Sequence, residues 1–162
     1  MGPLLHLLPA PLHRALMPLA HLLRERWWRW RKAPIMGVSV ILTNLSGHVL
    51  LLRHSYGEKV WILPGGGLKR GEDPLEAARR EVREELGIEL ARLEPVAILE
   101  EVLFGAAHTA HIFTGVCDRP PQPDRREVIE ARFFLSHLLP EPLGRITRER
   151  LAAWRARGRG QD

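Results

Sequence analysis

Hydrophobic residues recur along this chain with two different periods, and the change of period divides it. Through the first 33 residues the apolar positions Leu12, Leu16, Leu19, Leu22/Leu23, Trp27 and Trp30 keep near-helical spacing. His13, Arg14, His21, Arg24 and Arg31 fall on the opposite side with Arg29 beside them, and Pro18 would kink such a helix or start a new one. Beyond Pro34 the period becomes that of a strand. Gly37–Thr43 (GVSVILT) is rich in β-branched residues, Asn44–Gly47 supplies turn residues, and Val49–Arg53 follows as a second strand, which predicts a hairpin. Val60–Leu63 is a short extended segment entering a glycine loop, Trp61-Ile-Leu-Pro-Gly-Gly-Gly67. Val96–Phe104 and His108–Val116 read as strands around Gly105, and Val128–Leu135 as a last strand after the proline-rich Asp118–Arg126. Ile146, Arg150/Leu151 and Trp154 return to helical spacing, predicting an amphipathic helix over Ile146–Arg157.

The helix between the two groups of strands is written locally. Asp73 is a good N-cap, Pro74 suits the first turn, Glu76 can complete a capping box, and Gly87 stands where a left-handed stop is wanted. At 100° per residue, Leu75, Ala78, Val82 and Leu86 form a narrow apolar stripe, and Glu84, Glu81 and Glu85 form one continuous arc beside it. Arg79, Arg83, Glu76 and Arg80 take the other side. Like charges three and four apart repel by roughly 0.2–0.5 kcal/mol per pair on an exposed helix. Three carboxylates kept together therefore call for a cation, and hard divalent ions take carboxylate oxygens. A salt-bridged surface helix is the plain alternative for the three glutamates alone.

Composition sets the frame. At 162 residues with 45% hydrophobic content the chain can fold as one core-bearing domain. Its net charge of +5 is unevenly placed: residues 1–33 carry +5, residues 145–162 carry +4, and the body between them carries −4. Basicity thus belongs to the ends, which makes nucleic acid an unfavoured partner for the body. The apolar stretches near the start are too short and too broken by proline to span a bilayer, and charge follows them rather than precedes them, against a secretory signal. A single cysteine, Cys117, excludes an intramolecular disulfide and suits a reducing, cytoplasmic setting. The basic, Trp-bearing segment over 12–32 leaves four readings: packing on its own domain, pairing in a homodimer, peripheral contact with a membrane surface, or, least favoured, nucleic acid.

The stretch GGLKRGEDPLEAARREVREELGI carries a wider pattern: Gly66, five residues, Glu72, seven residues, Arg80-Glu81, Val82, one residue, Glu84-Glu85, one residue, Gly87 and Ile88. Every fixed position matches the signature of the Nudix hydrolase family, which the chain resembles over roughly Gly37–Trp154. The resemblance implies an α/β/α sandwich with a mixed sheet over residues 34–162, preceded by an added basic helical segment over 1–33. It also implies hydrolysis of a diphosphate linkage in a nucleoside diphosphate joined to another group, with Mg2+ or Mn2+ as cofactor.

On that resemblance Glu84 and Glu85 are assigned as metal ligands, Glu81 as a third ligand or the base that activates water, and the Gly66 carbonyl as a further ligand. Arg80 would orient Glu81 or Glu84, and Glu72 would reach the metal through water or support the loop. Family members differ in their base, and Glu127 and Glu130 are the candidates outside the signature. Arg53, Gly65, Lys69 and Arg70 are the candidate substrate contacts, and Tyr56, Trp61, Phe104 and Phe113 are either base stackers or core.

Other chemistries fit less well. A dinucleotide fingerprint fails at Arg70 and a P-loop at Glu72. His54, His108 and His111 raise a zinc reading, but His108 and His111 are three apart on a strand and point to opposite faces, with no cysteine partner nearby. Isomerase chemistry on an isoprenoid diphosphate occurs on this fold and would call for a better placed cysteine than Cys117. A non-catalytic, nucleotide-sensing or membrane-associated regulatory domain is the main alternative, and degraded signature carboxylates would favour it; none is degraded here.

Overall fold

The computed structural model describes residues 35–159 except 104 and 124, together with 16, 18 and 19. The basic segment, its junction at residue 33 and Phe104 therefore lie outside the described residues, save that Leu16, Pro18 and Leu19 are helical. Six strands form one mixed sheet: β1 Ile35–Thr43, β2 Val49–His54, β3 Gly65–Gly67, β4 Glu94–Leu103, β5 Ala106–Val116 and β6 Val128–Phe134. Their order is β4-β5-β1-β2-β6, with β3 attached to β1. β1 and β5 run parallel from Ile35↔His108 to Thr43↔Val116, and the other strand pairings are antiparallel. A parallel pair needs a long crossover, and the helix α1, Pro74–Leu86, lies within it.

Two cores follow from strand alternation. Val38, Val40, Leu42, Leu50 and Leu52 face Ala78, Val82 and Leu86 of α1. Ile41, Val49, Leu51 and Ile112 face the other way, against Leu151 and Trp154 of α2, Arg145–Arg159. A sheet covered by a helix on each face is the α/β/α sandwich expected. Because β1 and β2 are buried on both faces, they read as near-continuous apolar runs rather than alternating ones. Among the described residues no helix is long and apolar enough to cross a membrane.

Two local expectations need correction. The glycine loop is a strand: Gly65, Gly66 and Gly67 pair with Ser39, Val38 and Gly37. The hairpin of β1 and β2 is made only at its turn, Thr43↔Val49. Below it the chain from Trp61 to Gly67 wedges between the two strands, with Leu52 bonded to Ile62 and Val40 to Pro64. Glycine is required where this wedge meets β1 most closely, at Gly65. A Cβ on Gly65 (φ 149°) would lie 2.2 Å from the Val38 carbonyl oxygen.

Candidate active site

Helix α1 begins and ends on local chemistry. Asp73 accepts from the backbone N–H of Leu75 and Glu76, and Gly87 stops the helix at φ 65°. The Glu76 carboxylate pairs with Arg79 at 3.7 Å instead of closing the capping box. With Ala78, Val82 and Leu86 buried against the sheet, the adjoining positions are turned towards β3. The three signature glutamates then part company: Glu85 and Glu81 are 9% and 14% exposed at the side chain, whereas Glu84 is 52% exposed. Two carboxylates therefore enter the protein, and the third stands at its edge.

The glycine strand receives both. Gly65 N–H donates to Glu85 Oε2 at 3.0 Å. The Glu81 carboxylate lies flat against Gly66, where a Cβ would stand 2.6 Å from its Cδ and Oε1. Arg80 starts from the far side of the helix and reaches into this arrangement. Its long side chain bends back, with Nε and Nη2 on the two Glu72 oxygens at 2.7 and 2.9 Å, Nη1 on Glu81 at 2.6 Å, and Nη2 on the Gly67 carbonyl at 3.1 Å. Its 3.4 Å contact with Glu84 is the longest of the set. Glu72 also accepts from Lys69 N–H at 2.8 Å, so its carboxylate ties the loop to the helix.

Electrostatics separates these acids. The Arg80 hydrogen bonds pull Glu72 down to about 2. Burial first, and the neighbouring Glu85 second, push Glu81 up to about 7 despite Arg80. Glu85 is also raised, by burial, against the pull of His54 and Gly65. Two buried carboxylates that disfavour their own charge, set beside a bare backbone strand, fit a hard divalent cation. Among the described residues no three His, Cys, Asp or Glu side chains gather closely enough to hold a metal ion alone.

The remaining candidates are dispersed. Glu127 accepts from the Tyr56 hydroxyl at 3.2 Å and is close enough to help raise Glu85. Glu130 is held by Arg132 at 2.6 Å and Arg53 at 3.6 Å. Arg53 follows strand alternation to the face opposite His54, with its guanidinium 5.6 Å from the Trp61 ring centroid. Lys69 and Arg70 are exposed on the loop before α1. Of the aromatic candidates, Trp61 meets Phe134 edge-on, Phe113 is core, and Tyr56 stacks on His54. His108 is buried on the α2 face against Glu101, which also takes Arg150.

Sequence reasoning weighed His54 only for zinc and missed its place beside Glu85. Its Nε2 lies 3.0 Å from Glu85 Oε1. The signal was available in the alternation of β2, since Leu50, Leu52 and His54 share the face that meets α1.

Three comparisons bear on this site. A family model of the NUDIX domain matches residues 33–154. An RNA pyrophosphohydrolase of Bartonella bacilliformis is 42% identical over 65 residues, which cover 35% of this chain and 38% of that protein. The 8-oxo-dGDP phosphatase NUDT18 of Mus musculus is 31% identical over 121 residues, 71% of this chain and 36% of that protein. The matches thus span little more than a third of the length of these curated relatives. The crystal structure of a MutT NUDIX hydrolase from Burkholderia pseudomallei superposes with a TM-score of 0.68 at 25% identity, covering 75% of this chain and 98% of that one.

Proposed function

The chain belongs to the Nudix family, and from that membership we propose that it hydrolyses a diphosphate linkage in a nucleoside diphosphate joined to a further group. The observation that carries this reading is the buried pair Glu81 and Glu85 against the glycine strand, raised in pKa by burial and, for Glu81, by its neighbour's charge. The family generally uses divalent cations. Mg2+ or Mn2+ held by the buried pair Glu81 and Glu85 with the Gly66 carbonyl, and reached by Glu84 from the edge through water or a further ion, would neutralise pyrophosphate charge and acidify a bound water.

The chain's own groups complete the chemistry. Arg80 fixes the Glu81 carboxylate and, through Glu72, the loop that carries Lys69 and Arg70 towards phosphate oxygens. Glu81, held by Arg80 beside the glycine strand, is the base candidate within the signature where it does not itself ligate the ion. Glu127 is the second candidate, held by Tyr56 at the entrance to β6. The relatives' names keep RNA and 8-oxo-dGDP among the substrates to be tried.

The test is phosphate release from a nucleotide panel with Mg2+ or Mn2+. Glu84→Gln and Glu85→Gln should nearly abolish turnover while the proteins stay folded; unchanged turnover would eliminate the ligand assignment.

A further inference from the structure

His54 has no part in the chemistry above, yet it makes the closest side-chain contact to Glu85. The residue ends β2, and its side chain is only 16% exposed. Nε2 meets Glu85 Oε1 at 3.0 Å while Gly65 N–H meets Oε2 at 3.0 Å, so each carboxylate oxygen has one donor and the plane of the group is fixed. With Glu85 ionised, as a cation ligand must be, the carboxylate only accepts and the proton of this bond stands on Nε2. The ring is itself held. Tyr56 stacks on it with centroids 4.9 Å apart and planes at 22°, and the Tyr56 hydroxyl donates to Glu127. Ser55 between them donates through N–H to the Glu127 carbonyl and through Oγ to the Arg126 carbonyl. A histidine serving only as core filler would not need its nitrogen aimed at a buried acid and its ring clamped by a neighbour.

We propose that His54 is a positioning residue for Glu85: its Nε2–H sets the carboxylate in the orientation that meets the glycine strand, ready for a cation. The inference rests on the reading of Glu85 as a cation ligand. Outer partners of this kind are worth roughly 10–100-fold in metal affinity. His54→Phe keeps a ring against Tyr56 and removes the donor, whereas His54→Gln keeps a donor and removes the ring.

Calorimetric titration of the full-length proteins with Mn2+ alone is the readout, alongside thermal melting. His54→Phe should bind Mn2+ about 10–100-fold more weakly with its melting temperature little changed, and His54→Gln should recover most of that loss. In turnover, the Mn2+ concentration for half-activation should rise while KM for the nucleotide at saturating Mn2+ stays put. If His54→Phe fails to fold, His54→Gln against His54→Met makes the same comparison without the ring. Equal Mn2+ affinity with and without the donor overturns this inference alone. No Mn2+ uptake by the native chain overturns the cation reading and this inference together.

Discussion

Replacing Glu81 by Gln removes one buried charge and keeps the shape of the side chain, including an oxygen that can accept from Arg80. The native carboxyl is raised from its ordinary 4.5 to about 7. A group raised in this way holds its proton more tightly in the folded than in the unfolded chain. Stability therefore falls as pH rises from 4.5 to about 7 and stays reduced above that. At 1.36 kcal/mol per pH unit the interval corresponds to about 3 kcal/mol. The side chain is 14% exposed, so solvent screening takes only part of this.

Glu81→Gln should accordingly be more stable than the native protein by about 2–3 kcal/mol at pH 8 without divalent ions. For a chain of this size that is a rise in Tm of about 5–10 °C. At about pH 4 and below, where Glu81 is largely protonated in the folded and the unfolded chain alike, the two proteins should melt together. Scanning calorimetry in chelator from about pH 4 to 8.5 measures the difference directly. A gap that does not change with pH, or a variant less stable at pH 8, would refute the electrostatic argument. Adding Mg2+ at pH 8 should raise the native Tm more than the variant's, because the native site has one more carboxylate charge to be neutralised.

The adjacent glycines should separate fold from function. Gly65→Ala drives a Cβ into the Val38 carbonyl from a φ of 149°, and should cost about 1–3 kcal/mol for the backbone alone in denaturant melts. Gly66→Ala meets side chain rather than backbone, 2.6 Å from the Glu81 carboxyl that Arg80 braces, so it should lose less stability than Gly65→Ala yet lose most turnover; the reverse order in either assay would contradict the contact geometry. Glu72 supplies the opposite pH signature. Its carboxyl is lowered from 4.5 to about 2 by Arg80, so its contribution is present above 4.5 and lost as pH falls towards 2. The Tm difference between native protein and Glu72→Gln should shrink on acidification through that window, and a constant difference would remove the pairing from the account.

What could be read from residues alone was the part governed by local periodicity. The caps Asp73 and Gly87, the stripe Ala78, Val82 and Leu86, and the arc of acids beside it all follow from one helix considered by itself. The arc was nevertheless divided by its surroundings. Leu75 is only partly buried while Ala77 is fully buried, and Glu84 is left at the edge where Glu81 and Glu85 go in. Which of three neighbouring acids is desolvated depends on where β3 lies, and periodicity within one helix cannot place another strand.

The same limit explains Arg80 and His54, and it bears on how the site works. Arg80 has several rotatable bonds, so its position on a helical wheel says where its Cα sits and not where its guanidinium ends; Glu72, eight residues earlier, decides that. His54 stands 31 residues from Glu85 and is joined to it only through the sheet. Each buried acid is thus met by a partner from outside its own helix turn: Glu85 by His54 and Gly65, Glu81 by the Gly66 backbone with Arg80 braced on Glu72. Groups so braced cannot relax apart when both are ionised, and the repulsion persists until a counter-charge arrives. A rigid pair of reluctant acids is a better receptor for a divalent ion than a flexible one, because the ordering has been done on folding.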